Sequence, residues 1–342
     1  MAVLGAAAAG GGITPTISFL GSQSWTPAYD MEAYVYVIGA GGSGCAGSNS
    51  ADFLSGGGAG GCAISKLTLS SGTAYTVTIG AGGARVTSTS GYTVGNAGGN
   101  SSLSGSDIST MTGNGGSGGL RIQYETLGSG NGAAGGTATG GTLANFTGGK
   151  GGGITSQLSS ARSGGGAVGL WATGNDGPNA LGSSGALNKF QAGGNPNYDL
   201  GTYTGDEILN TASYYGGNSA KSIPSISPFG MDVTAVEHQG YLPKGNYYAN
   251  GSTVYSVPYV RLTGSPQPYQ GYYDNSANLS GNVAPAFHGG VAMCASLGCY
   301  GGSATLGGGG GAGGIRSGNT GTAYGGVGGT GAVIIFPLSI GS

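Results

Sequence analysis

The sequence predicts an all-β protein with extensive irregular, polyglycine-II structure: a small β-sheet, stacked glycine-rich strands and almost no helix. Three observations carry this. Glycine supplies 82 of 342 residues, charged residues supply 6%, and the apolar share is still 38%. Glycine at this density costs roughly 1 kcal/mol per position in a helix, which removes helix as the scaffold. A disordered chain is poor in apolar residues and rich in net charge, whereas the formal charge here is -2. The glycines are therefore expected to be ordered and to permit backbone packed on backbone. Polyproline-II-type strands have three residues per turn and no internal hydrogen bonds, so neighbouring strands must satisfy one another's N–H and C=O groups.

The elements follow in chain order. Residues 1–24 open with Met1-Ala-Val-Leu and a run of small residues, read either as an arm that docks onto another subunit or as a loosely packed terminal arm. The run lacks the positive segment of a secretion signal. Ala33-Tyr-Val-Tyr-Val-Ile38, β-branched and aromatic, is a strand. Ala63–Leu69 and Ala74–Ile79 alternate apolar and polar residues around Ser71-Gly72 and are expected to form a hairpin. From Gly80 to about Gly194 the chain is a glycine array without a strict period, and 25–195 is taken as the first part of one scaffold.

Composition changes near residue 196. Between Pro196 and Pro285 there are 11 glycines in 90 residues, yet 12 of the 20 tyrosines and 8 of the 12 prolines. This window, 196–285, reads as an inserted subdomain. Glycine richness resumes in 286–342, the closing part of the scaffold, and ends in Ala332-Val-Ile-Ile-Phe336, a strand expected to pair with 33–38.

Trp25-Thr-Pro-Ala28, strand 33–38, Gly39-Ala-Gly-Gly-Ser-Gly44, Gly56–Gly61, the 63–79 segment, Gly80-Ala-Gly-Gly83, Gly98-Gly-Asn-Ser-Ser102 and the finish into Phe336 together resemble the glycine-rich domain of bacteriophage tail-fibre and related virion proteins. A more distant similarity is to the polyglycine-II adhesins of T-even-like phages, whose tip loops select the receptor. The resemblance implies an exposed location on the phage tail, a role in adsorption and no catalysis. Its partners would be other virion tail proteins and a host cell-surface polysaccharide or outer-membrane protein. A homotrimer, or single copies capping a trimeric fibre, is the expected arrangement. Those adhesins carry short variable loops, whereas this chain has one long tyrosine-rich window.

Tyr214, Tyr215, Tyr247, Tyr248, Tyr255, Tyr259, Tyr269, Tyr272 and Tyr273 are the candidate receptor-binding residues. Tyrosine offers a rigid contact face at low entropic cost, and mixed with Ser, Gly and Asn it makes the chemistry of binding loops. The same rings could instead form the window's own core; both readings stay open at this point.

Other chemistry finds little support. Gly39-x-Gly41-x-x-Gly44 spells a dinucleotide fingerprint without the apolar-faced helix or well-spaced acid that it needs. Gly115-Gly-Ser117-Gly-Gly119 spells a hydrolase elbow, but no helix is expected after it; the histidines are His238 and His288. Asp199, Asp206, Glu207, Asp232, Glu237 and Asp274 could supply a glycosidase pair, and are read instead as solubilising charges. Cys45, Cys62, Cys294 and Cys299 lack zinc spacing and are expected to be buried thiols. No cofactor, no metal and no catalysis are expected, and the scattered charges give no footprint for nucleic acid. The function expected is a tail-fibre or tail-tip protein that binds a host receptor. Alternatives are a structural virion protein, such as a capsid or tail decoration, a depolymerase, and, more remotely, an ice-binding or matrix glycine protein.

Overall fold

A computed structural model describes residues 2–4, 16–48, 53–122, 132–153, 163–170, 173–174, 176–177, 189–191, 253–257, 269–273, 278–280, 287, 289–290, 292–295, 298–304, 306–315 and 321–340. Their regular elements are all strands, numbered here in chain order. Two sheets form a sandwich. The first runs β1 (Ala2–Leu4), β2 (Thr16–Phe19), β24 (Ala332–Ile340), β4 (Met31–Ile38), β7 (Cys62–Leu69), β15 (Ala144–Phe146). The second runs β14 (Ala138–Thr139), β12 (Ile108–Gly113), β11 (Ser101–Gly105), β8 (Tyr75–Thr78), β3 (Gln23–Trp25).

The expected pairing of the early and last strands is present. β24 lies antiparallel to β4, with Ala332 opposite Ile38 and Phe336 opposite Tyr34. Alternation along these strands sends Ala33, Val35, Val37, Val333 and Ile335 into one cluster with Trp25, Tyr75, Val77, Leu103 and Met111 of the second sheet. Tyr36, Ile38, Ile64 and Ile334 point the other way, into a cluster closed by Val168, Leu170 and Phe287. The first sheet is thus buried on both faces, which is why β4 reads as a near-continuous apolar run.

The expected hairpin is corrected. β7 pairs with β4 and β15, whereas β8 pairs with β11 and β3. The chain crosses from one sheet to the other through Ser70–Ala74, with Gly72 at φ 77°. Both flanking strands put alternate apolar residues into the shared cluster, so Leu69 and Tyr75 meet across the core. The Tyr75 hydroxyl accepts from the Ser70 amide and donates to Asp107. Burial and that carboxylate raise the Tyr75 pKa, and the same bond lowers that of Asp107. Residues 16–25, around the end of the expected docking arm, are also built into the sandwich, with Phe19 and Trp25 buried.

At one end of the sandwich most strands run on into glycine segments, and their order is exposed by hydrogen bonding. Along residues 39–45 the amides of Gly39, Gly42 and Cys45 donate to Gly61, Gly58 and Ser55. Those of Ala40 and Ser43 donate to Gly99 and Asn96, and those of Gly41 and Gly44 to Gly329 and Gly326. Partners therefore recur every third residue, the repeat of a polyproline-II-type helix. The carbonyls point between the donors: Ala40 and Ser43 accept from Gly116 and Gly119, Gly41 from Gly83, and Gly42 from Gly310.

Segment 39–44 thus has six hydrogen-bonded neighbours. These neighbours also bond to one another around the ring, as in Gly58 to Ser117, Gly98 to Gly116, Gly99 to Ala81, Gly328 to Gly83, Gly329 to Gly308 and Gly57 to Gly310. The packing is hexagonal and leaves no room for a Cβ atom at the glycines of this segment. One added at Gly41 would stand 1.9 Å from the Gly308 carbonyl oxygen, and one at Gly44 2.0 Å from that of Gly311. The period absent from the sequence is present in the partners, because segments of different length and direction meet in one lattice.

Candidate binding surface at the far end of the glycine lattice

Connections between glycine segments that leave the sandwich and those that return to it fall at the end remote from it. Their described residues include 45–48, 53–54, 84–94, 120–122, 132, 153, 314–315 and 321–324. Two further sheets are built there. One runs β10 (Gly91–Thr93), β5 (Ala46–Ser48), β22 (Gly313–Ile315), β20 (Ala292–Ala295), β16 (Lys189–Gln191). The other runs β17 (Thr253–Val257), β18 (Tyr269–Tyr273), β19 (Asn278–Ser280), β21 (Gly298–Tyr300), β23 (Thr322–Tyr324), β9 (Thr87–Ser88). A short ribbon of β13 (Arg121–Ile122) on β6 (Phe53–Leu54) completes this tip.

The tyrosine-rich window contributes to the second of these sheets, where β17–β19 extend it outward from β21. Of the candidate residues, Tyr255, Tyr269, Tyr272 and Tyr273 take strand positions. The register puts Tyr272 in one row with Ser280, Tyr300 and Tyr324, and Tyr273 in the next row with Leu279, Cys299 and Ala323. Tyr255 pairs with Gly271 and Tyr269 with Val257. Tyr214, Tyr215, Tyr247, Tyr248 and Tyr259 lie outside the described residues, as do His238, His288 and the six acids of the window.

Sequence reasoning passed over the aromatic and basic residues that the scaffold itself brings to the tip. Tyr300 and Tyr324 sit opposite each other on parallel strands, and their rings stack 4.1 Å apart and 2° from coplanar. The guanidinium of Arg85 stands 5.5 Å over the Tyr300 ring and reaches Ser303 Oγ at 3.5 Å. Arg121 lies 4.2 Å over Tyr92, which is 42% exposed. The hydrogen bond to Tyr324 raises the Tyr300 pKa, burial adds to this, and the Arg85 charge opposes it. A signal for the pair was present in the letters: Tyr300-Gly-Gly and Tyr324-Gly-Gly each mark the point where a tip strand enters the lattice.

The motif-like glycines have structural work. Gly39, Gly41 and Gly44 belong to the central helix, with their amides donated to neighbouring segments. Ser117 likewise donates its amide to Ala134, and β-structure follows it at Arg121. Cys45 and Cys62 are buried thiols; Cys45 donates to the Thr93 carbonyl at 3.1 Å, and burial drives the Cys62 thiol far above the usual range. Cys294 and Cys299 occupy β20 and β21. Among the described residues no group of three His, Cys, Asp or Glu is placed to hold a metal.

A β-sandwich continued as a hexagonal glycine lattice, with further small sheets at its remote end, defines a glycine-packed protein. The family model described as a glycine-rich domain matches residues 16–230, and the chain belongs to that family. The glycine segments at 289–290, 301–304, 307–313 and 325–331 lie beyond the match, yet bond into the same lattice. No curated protein matches the chain.

Proposed function

We propose that this chain is a bacteriophage tail-fibre or tail-tip protein that binds a host-surface receptor during adsorption, without catalysis, as part of the exposed virion tail. The observation that carries this reading is the gathering of tyrosine-bearing strands at the end of the glycine lattice remote from the sandwich. Backbone bonded every third residue in six directions makes a stiff support, and rigid support of a contact surface lowers the entropic cost of binding. The tip holds tyrosine and arginine, the residue types that dominate binding hot spots. The sandwich, at the opposite end, is free to face other tail subunits.

The test is capture of envelope fractions, prepared from a panel of bacteria, on the immobilised full chain. The full chain is expected to retain envelope from at least one host. The double substitution Tyr300→Ala with Tyr324→Ala is expected to lower that binding at least tenfold with an unchanged thermal midpoint. Removal of residues 196–285 is expected to lower it further. Capture of none of the envelopes, together with co-sedimentation with phage capsids or tails, would favour the structural virion reading instead.

A further inference from the structure

Connection 84–94 supplies an edge strand to each tip sheet, β9 and β10, and takes part in two cation–aromatic pairs of opposite sense. It gives the cation to one, Arg85 over Tyr300, and the ring to the other, Tyr92 beneath Arg121. Its own fold is fixed: Thr93 Oγ1 donates to the Thr87 carbonyl, Ser88 Oγ reaches the Ser90 and Gly91 carbonyls, and Asn96 Nδ2 donates to Ala84. Val86 and Ser88 are buried while Arg85 and Tyr92 are exposed, so the loop is anchored by alternate residues and presents the others.

A guanidinium laid over a ring offers its face to the ring and keeps its N–H donors in a rigid plane directed sideways. That fork matches an oxyanion with two acceptor oxygens. The described carboxylates are engaged elsewhere. Asp30 accepts from the Ser71 amide, Glu32 pairs with Lys66, Asp107 accepts from Tyr75, and Asp176 accepts from the Lys150 amide. Beside Arg85, Tyr300 has the guanidinium over its ring and the Tyr324 ring stacked on it, so what this half-buried pair offers a ligand at the arginine is its hydroxyl edge.

From these placements we infer that the tip recognises an acidic saccharide. A carboxylate or phosphate oxyanion on the sugar meets the Arg85 fork, and the sugar's hydroxyl groups meet the edge of the Tyr300–Tyr324 pair. The inference rests on the receptor-binding reading and narrows its ligand to an oxyanion-bearing glycan.

Isothermal titration of the full chain tests it with three probes at low and high salt: a galacturonate oligosaccharide, a phosphorylated mannose oligosaccharide and neutral maltohexaose. At least one acidic probe is expected to bind at least tenfold tighter than maltohexaose, and to weaken several-fold at high salt. Comparison of the two acidic probes assigns carboxylate or phosphate. Arg85→Gln is expected to remove at least tenfold of the preference, and Arg85→Lys, which keeps the charge without the fork, to restore part of it. Equal binding of acidic and neutral probes, or an Arg85→Gln chain that binds like the parent, overturns the inference. Envelope capture separates the two levels. If the chain retains envelope but ignores every glycan, and protease treatment of the envelope abolishes capture, the receptor is a protein and only the saccharide is wrong. If it binds the acidic glycan but no envelope, the adsorption role fails.

Discussion

Replacing Gly41 by alanine is expected to unfold the chain or leave it insoluble. A Cβ at this position would meet the Gly308 carbonyl oxygen at 1.9 Å and its carbon at 2.4 Å, where ordinary contact begins at 3.4 Å. Both partners are backbone, so no side chain can swing aside. Relief requires segments 39–44 and 307–313 to part by more than 1 Å, judged from those contact distances. Parting strains the bond from Gly310 to Gly42 at 2.8 Å and that from Gly313 to Cys45 at 3.0 Å. Buried backbone groups left without partners cost about 1–3 kcal/mol each, so the loss is on the order of 3 kcal/mol or more, set against a total stability of about 5–15 kcal/mol. Two control glycines separate crowding from composition. Gly21 has nothing within 4 Å and no left-handed φ, and Gly21→Ala is expected to change stability by less than about 0.5 kcal/mol. Gly72 is equally open but sits at φ 77°, so Gly72→Ala is expected to cost about 1–2 kcal/mol from the backbone alone. Denaturant unfolding of the three variants should give that order.

The second large effect is expected from Tyr36→Ala, at about 3–5 kcal/mol in the same unfolding measurement. Tyr36 is fully buried on β4, between Ile64 and Ile334 in register, and its ring meets Phe336 edge-on at 5.6 Å. The cavity would open where the sandwich adjoins the lattice, next to Ile38, Val168 and Phe287. Tyr92→Ala, by contrast, is expected to leave stability within about 0.5 kcal/mol, because Tyr92 is exposed on edge strand β10. The described tyrosines thus differ by position: Tyr36 on β4 and Tyr75 on β8 build the core, whereas Tyr92 at the tip is exposed.

Much of the fold was legible because it is written in local pattern. The run 33–38 and the run 332–336 announced themselves by β-branched and aromatic residues, and two such runs with burial on both faces are each other's natural partners. The segment 63–79 was misread because alternation shows which residues face a core and says nothing of which sheet each strand joins. A turn at Ser71-Gly72 serves a crossing between layers as well as a hairpin. The lattice could be anticipated as backbone packed on backbone, but its partners could not. Gly41, Gly42 and Ser43 bond to residues 329, 58 and 96, and glycine carries no side chain to mark such a choice. The tip was half legible. A shift in composition pointed to the tyrosine-rich window, whereas Tyr300 and Tyr324 were hidden singly beside glycines until the parallel pairing of β21 and β23 brought them together. The pairs Arg85–Tyr300 and Arg121–Tyr92 likewise join residues far apart in the chain.

Everything rests on the glycine segments being bonded lattice rather than solvated chain, and residue-resolved amide hydrogen exchange reads this directly. The Gly39, Gly41, Gly42 and Gly44 amides are expected to exchange only through global unfolding, with protection within about 1 kcal/mol of the neighbouring Val35 and Val37 amides on β4. Exchange of those glycine amides within seconds, while Val35 and Val37 remain protected, would contradict it.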